Sequence, residues 1–126
     1  MMTYVITYDA STRALVTKTA GRMNARDFIA MAEDILRHPR HVPHGKALFD
    51  HEDLDFAGVR VEDLQQIRAF HAGHESAIGN GKSAMLVRAG CLERWHQLWA
   101  QGTKIKTGNV VRVFEDRADA VRWLTE

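Results

Sequence analysis

Short β-rich strings alternate with longer stretches of helical period along this chain, and that alternation limits the fold more than any other feature. Thr3 to Tyr8 is β-branched or aromatic almost throughout, which predicts a strand. Asp9 to Arg13 supplies turn chemistry, and Ala14 to Thr19 resumes alternation. Leu15 and Thr17 then face one way, and Ala14, Val16 and Lys18 the other. A link this short predicts a hairpin. Gly21 ends it. Asn24, with Asp27 three residues on, opens a helix whose buried face is Phe28, Met31, Ala32, Ile35 and Leu36. His38-Pro39 stops that helix.

Lys46 to Asp50 is a short apolar run bounded by charge, which suits a strand covered on both faces. Val61 to Ile78 returns to helical period through Leu64, Ile67 and His71. Asn80-Gly81 marks a turn, and Ala84 to Val87 predicts a second buried strand. Cys91 to Ala100 reads as a helix closed by Gly102. Val110 to Phe114 is the last strand, and Asp116 caps a helix running to Leu124. The expected class is α/β: an initial hairpin, then strand–helix units joined by right-handed crossovers. That gives a mostly parallel mixed sheet of about five strands with about four helices.

The 126 residues are enough for a single domain spanning 1–126. With 17 Lys+Arg against 16 Asp+Glu, the net charge of +1 supplies no basic field for nucleic acid. The single cysteine, Cys91, excludes an internal disulfide and every multi-cysteine metal site, and points to a reducing cytoplasm. Met1 to Ala10 lacks the basic and apolar regions of a signal peptide. Nor is there an uncharged apolar run of about 18 residues, so stable membrane insertion is not expected.

In open α/β sheets, sites form at the carboxyl ends of strands. Here these are loops 50–61, 88–91 and 115–117. In the first, Asp50, Glu52, Asp53 and Asp55, with His51 among them, offer four carboxylates for a hard cation. However, the sixth place of an EF-hand-like loop falls on Asp55 rather than Gly, and the twelfth on Val61 rather than Glu. The run therefore reads as an acidic turn favouring the next helix start. His71 and His74 stand three apart beside Glu75, and His38, His41 and His44 surround the two prolines, yet no zinc-protease spacing occurs. No metal or cofactor is expected. Cys91 has no base at pairing distance in sequence, since His96, five residues on, faces away. Trp95 and Trp99 lie one helical turn apart, as part of the core or as a ligand or partner surface.

Several strings, in order, resemble the SpoIIAA-like family, relatives of the STAS domains that include anti-anti-sigma factors. They are Lys46-Ala47-Leu48-Phe49-Asp50 running into the acidic segment, Lys82-Ser83-Ala84-Met85-Leu86-Val87, and Leu92-Glu93-Arg94-Trp95. At the end come Val113-Phe114-Glu115-Asp116 and Ala120-Val121-Arg122-Trp123-Leu124. The resemblance covers essentially the whole chain. It implies an α/β domain whose relatives mostly bind partner proteins or small ligands. Well-known members carry a phosphorylated Ser after the third strand. From Asp50 to Val61 there is no Ser or Thr, so that switch has no hydroxyl to act on.

Three functions follow as expectations. The first is a non-enzymatic protein-interaction or regulatory module, paired with a protein partner or a second copy of itself. The alternative is a carrier or sensor of a small amphipathic, lipid-like ligand, with Arg88 or Arg94 near the mouth meeting an anionic head. The third is a hydrolase or metal enzyme built on the acidic loop with His51 or His71. The candidate surface residues are Asp50, His51, Glu52, Asp53, Arg88, Arg94, Trp95 and Trp99.

Overall fold

The computed structural model describes residues 1–100 and 110–126. Along the chain run β1 (Met2–Asp9), β2 (Ala14–Arg22), α1 (Ala25–Arg37), β3 (Lys46–Asp55), α2 (Val61–Gly73) and α3 (Glu75–Ile78). They are followed by β4 (Lys82–Val87), α4 (Leu92–Ala100), β5 (Val110–Phe114) and α5 (Arg117–Thr125). The strands form one sheet in the order β1-β2-β3-β4-β5. β1 and β2 are antiparallel, and β2 to β5 are parallel neighbours, as the alternation requires.

Local chemistry fixes the element ends. The Asp9 carboxylate accepts from the Ser11 N–H (3.1 Å), the Ser11 hydroxyl (2.8 Å) and the Thr12 hydroxyl (2.9 Å), closing the hairpin turn. These bonds hold the Asp9 carboxyl below its usual range. Asn24 Oδ1 accepts from the Asp27 N–H at 2.9 Å, so the expected cap is present. Asp116 caps α5 by accepting from the N–H groups of Ala118 (2.8 Å) and Asp119 (3.3 Å).

Three boundaries differ from expectation. β3 does not end at Asp50 but continues to Asp55, because β2 also continues, to Arg22. Past an irregularity between Lys18 and Ala20, the register pairs Asp53, Leu54 and Asp55 with Ala20, Gly21 and Arg22. The expected acidic loop 50–61 is therefore half strand. Gly21 lies inside β2 at φ +86, where a Cβ would stand 2.2 Å from the Met1 carbonyl oxygen. The expected helix 61–78 is broken at His74, whose ring Nδ1 donates to the Phe70 carbonyl at 2.8 Å and closes α2. The four-residue α3 follows as a separate turn, so the helices number five among the described residues. Cys91 takes the capping place of α4, its carbonyl accepting from the Trp95 N–H at 2.9 Å. The expected closure at Gly102 lies outside the described residues.

The two faces of the sheet are covered differently. Ala14, Leu48 and Ala84 point to one face, where α5 packs with Ala120, Trp123 and Leu124. The opposite face carries the alternate residues and meets Phe28 and Met31 of α1, Ile67 of α2 and Trp95 of α4. No helix among the described residues is long and apolar enough to cross a membrane.

Candidate functional site

A cavity of about 1230 Å³ opens between the second face and its helices. Its floor is Leu15, Phe49, Met85 and Val113, alternate residues of four successive strands, all pointing the same way. Its roof comes from Phe28, Met31 and Ile35 of α1, His71 of α2, and Trp95 and Trp99 of α4. Large side chains on both sides keep floor and roof apart.

An aromatic cluster closes one end. Trp95 lies 5.7 Å from Trp99 and 5.2 Å from Phe56, ring centre to ring centre, while Phe28 lies 6.3 Å from Trp99. Behind them is His51, only 1% exposed, with its ring 5.2 Å from Trp95, 5.8 Å from Phe49 and 6.0 Å from Phe28. Its Nδ1 is 2.7 Å from the Thr19 hydroxyl oxygen, which itself donates to the Asp50 carbonyl at 3.2 Å. That arrangement assigns the ring hydrogen to Nδ1, donating to Thr19, and leaves Nε2 without a hydrogen-bond partner. Burial pushes His51 down to about 3, so the ring is neutral. Burial and the neighbouring His74 also lower His71.

The charge around the cavity has one sign. Arg13, Arg40, Lys46, Arg68 and Arg112 are among its lining residues, and no Asp or Glu is, among the described residues. Arg68 donates to the Trp99 carbonyl, and its guanidinium lies 5.8 Å from the centre of the Trp99 ring. Arg112 turns its guanidinium toward Phe114 and Trp123 on the other face, 5.6 Å from each ring. Arg40 lies over the ring of Tyr8, 4.1 Å from its centre. The connector carrying Arg40 is pinned: His41 Nε2 donates to the Ala77 carbonyl at 2.9 Å, and His44 Nδ1 accepts the Asn80 N–H at 3.0 Å. A Cβ on Gly81 would stand 2.3 Å from the Gly45 carbonyl oxygen, so only glycine lets these two segments cross.

No family model matches this chain, and no curated protein matches it. Among solved structures, it is similar to an uncharacterised DUF3478-family protein with a SpoIIAA-like fold from Shewanella loihica. The TM-score is 0.62 at 21% identity, covering 98% of this chain and 93% of that one. The chain has a SpoIIAA-like fold.

Within this SpoIIAA-like fold the eight candidate residues do not form one site. Trp95 and Trp99 line the cavity, and His51 stands behind its aromatic end. Asp50 faces the other side of the sheet, where its Oδ2 lies 3.3 Å from Arg117 and 3.9 Å from Lys18. Its Oδ1 accepts the Glu52 N–H at 3.1 Å, which leaves Asp50 structurally committed. Glu52 holds Arg88 through its carbonyl (3.1 Å), and exposed Asp53 lies 3.7 Å from Lys18. Arg94 donates to Cys91 Sγ at 3.3 Å and lies 5.9 Å over Phe56. Neither Arg88 nor Arg94 lines the cavity, contrary to the expectation that one of them stands at its mouth. No group of three or more His, Cys, Asp or Glu converges as metal ligands among the described residues. Arg13 and Arg40 escaped the sequence analysis because each sits in a turn or connector. In sequence Arg13 shows only as part of the hairpin turn, and Arg40 only as part of the Pro/His segment.

Proposed function

We propose that this chain is a non-catalytic carrier or sensor that takes a small, largely apolar ligand into the cavity under α1, α2 and α4. The observation that carries this reading is the cavity itself, about 1230 Å³ and walled by Phe28, Met31, Phe49, Met85, Trp95 and Trp99. Small-molecule sites are usually apolar clefts of roughly 300–1,000 Å³, so this one suits a long or bulky guest. The protein-interaction reading drew on the family resemblance, the lack of a catalytic constellation and an outward Trp95/Trp99 stripe. Trp95 is 3% exposed and Trp99 is half-buried, so that stripe favours a ligand over a partner. The acidic segment supports no hydrolytic reading either, since Asp50 and His51 point to opposite faces of the sheet.

The test is a titration with dodecanol, a neutral apolar probe, read by Trp fluorescence and by the urea midpoint. We expect saturable quenching and a stabilisation approaching about 2.7 kcal/mol at a hundredfold excess over Kd. Ala32→Phe places a ring in the cavity wall and should abolish both responses while the protein stays folded. A parent protein that shows no saturable response overturns the proposal.

A further inference from the structure

We propose that the ligand is a single-chain amphiphile with an anionic head, bound with its head at Arg13 and Arg40 and its tail against the Trp95/Trp99 cluster. This rests on the cavity reading and adds polarity and orientation to it. The cavity has two chemically distinct ends. Tyr8 pairs with Leu15 and Asp9 with Ala14, so the hairpin turn holding Arg13 adjoins the Tyr8 ring on which Arg40 rests. Both arginines line the cavity there. Neither has a carboxylate within ion-pair distance among the described residues, whereas Arg37, Arg60, Arg117 and Arg122 each have one. The other end is aromatic; there Arg68, which lines the cavity, donates to the Trp99 carbonyl and lies over the Trp99 ring.

Two guanidinium groups without counter-charges beside an apolar hollow fit an anion that carries hydrocarbon behind it. They repel a cation, and to a neutral hydroxyl they offer only hydrogen bonds weaker than the charge-assisted ones they make to an oxyanion. Arg13 is held in a left-handed turn (φ 56) closed by the Asp9 hydrogen bonds, and Arg40 sits on the pinned connector. The backbone carrying each arginine is therefore fixed before a ligand arrives, and the Arg40 head already rests on Tyr8, which lowers the entropy cost of binding. A guanidinium recognises carboxylate and phosphate alike, so the shared chemistry is an oxyanion head on an alkyl chain.

The experiment compares dodecanoate, dodecyl phosphate, dodecanol and dodecylammonium by Trp fluorescence and calorimetry, the ionic probes below their critical micelle concentrations and the alcohol below its solubility limit. In the parent, one or both anions should bind at least about tenfold more tightly than the alcohol, and the ammonium most weakly. Whichever anion binds more tightly names the head. Arg13→Gln and Arg40→Gln should each weaken anion binding about tenfold and leave dodecanol unchanged, while Arg88→Gln and Arg94→Gln leave every probe unchanged. Retained dodecanol binding shows that the variants are folded. If anion and alcohol bind the parent equally, or if Arg40→Gln weakens both by the same factor, the head-group assignment is overturned and the cavity reading stands. If no probe binds, dodecanol included, both fall.

Discussion

The two faces of the sheet differ in the size of the side chains that meet across them. On the closed face, small residues from both partners, Ala14 and Ala84 from the strands and Ala120 from the helix, let α5 sit directly on β4. Leu48, Trp123 and Leu124 then fill what space remains. Arg117, in the first turn of α5, reaches Asp50 and fixes that end of the helix to the sheet. On the hollow face, Phe49, Met85 and Val113 meet Phe28, Met31, Trp95 and Trp99, and large residues opposed to large residues leave a gap. Close packing requires large and small residues to interdigitate. One face meets that requirement, and the other departs from it where a ligand would lie.

The largest expected effect tests the closed face. Leu124 has no exposed surface. Leu124→Ala leaves a cavity that rigid neighbours cannot collapse, and should cost about 3 kcal/mol or more in urea unfolding. A loss below about 1 kcal/mol would show that α5 relaxes freely, and the contrast between the faces would disappear.

A pH series probes the hollow face next. His51 is neutral in the fold, with its pKa lowered from 6.5 to about 3 by burial. Below about pH 6.5 the unfolded chain binds a proton that the folded chain refuses. The stability tied to neutral His51 is thus complete above that pH and falls as the pH drops toward 3. The slope reaches ~1.4 kcal/mol per pH unit for one such group. His71 is lowered as well and steepens the fall. Urea midpoints measured from about pH 7 to about pH 4 should decline less in His51→Gln than in the parent. Equal slopes would mean that His51 is solvated, and hence that the aromatic end of the cavity is wet.

Sequence reasoning reached the fold because the signals it uses are local and repeated. Thr3–Tyr8 and Ala84–Val87 carry strand composition, Asn24 and Asp116 carry caps, and the alternation supplies the topology. It misread Asp50–Asp55 because charge density there suggested a loop, while the pairing partner that makes it a strand lies at Ala20–Arg22, about thirty residues upstream. Trp95 and Trp99 were found because helical spacing marks them directly. Their inward orientation could not be read, since both stripes of α4 are apolar and only packing chooses between them. Arg13 and Arg40 were missed for a related reason. They become neighbours only when β1 pairs with β2 and the connector folds back over Tyr8.

The smallest effect gives the comparison its counterpart to Leu124. Met85 is partly buried and faces the cavity, so Met85→Ala removes atoms that already border open space. Its truncation enlarges an existing hollow and strips few contacts from surrounding side chains. The loss is confined to the transfer of a half-covered side chain, about 1 kcal/mol, well under the cost at Leu124 although each substitution deletes the same number of non-hydrogen atoms. Measured side by side in urea, the two substitutions separate a packed face from a hollow one. A Met85→Ala cost equal to that of Leu124→Ala would mean that the cavity is closed in solution. The same variant should still bind dodecanol, because its wall recedes and keeps its apolar character.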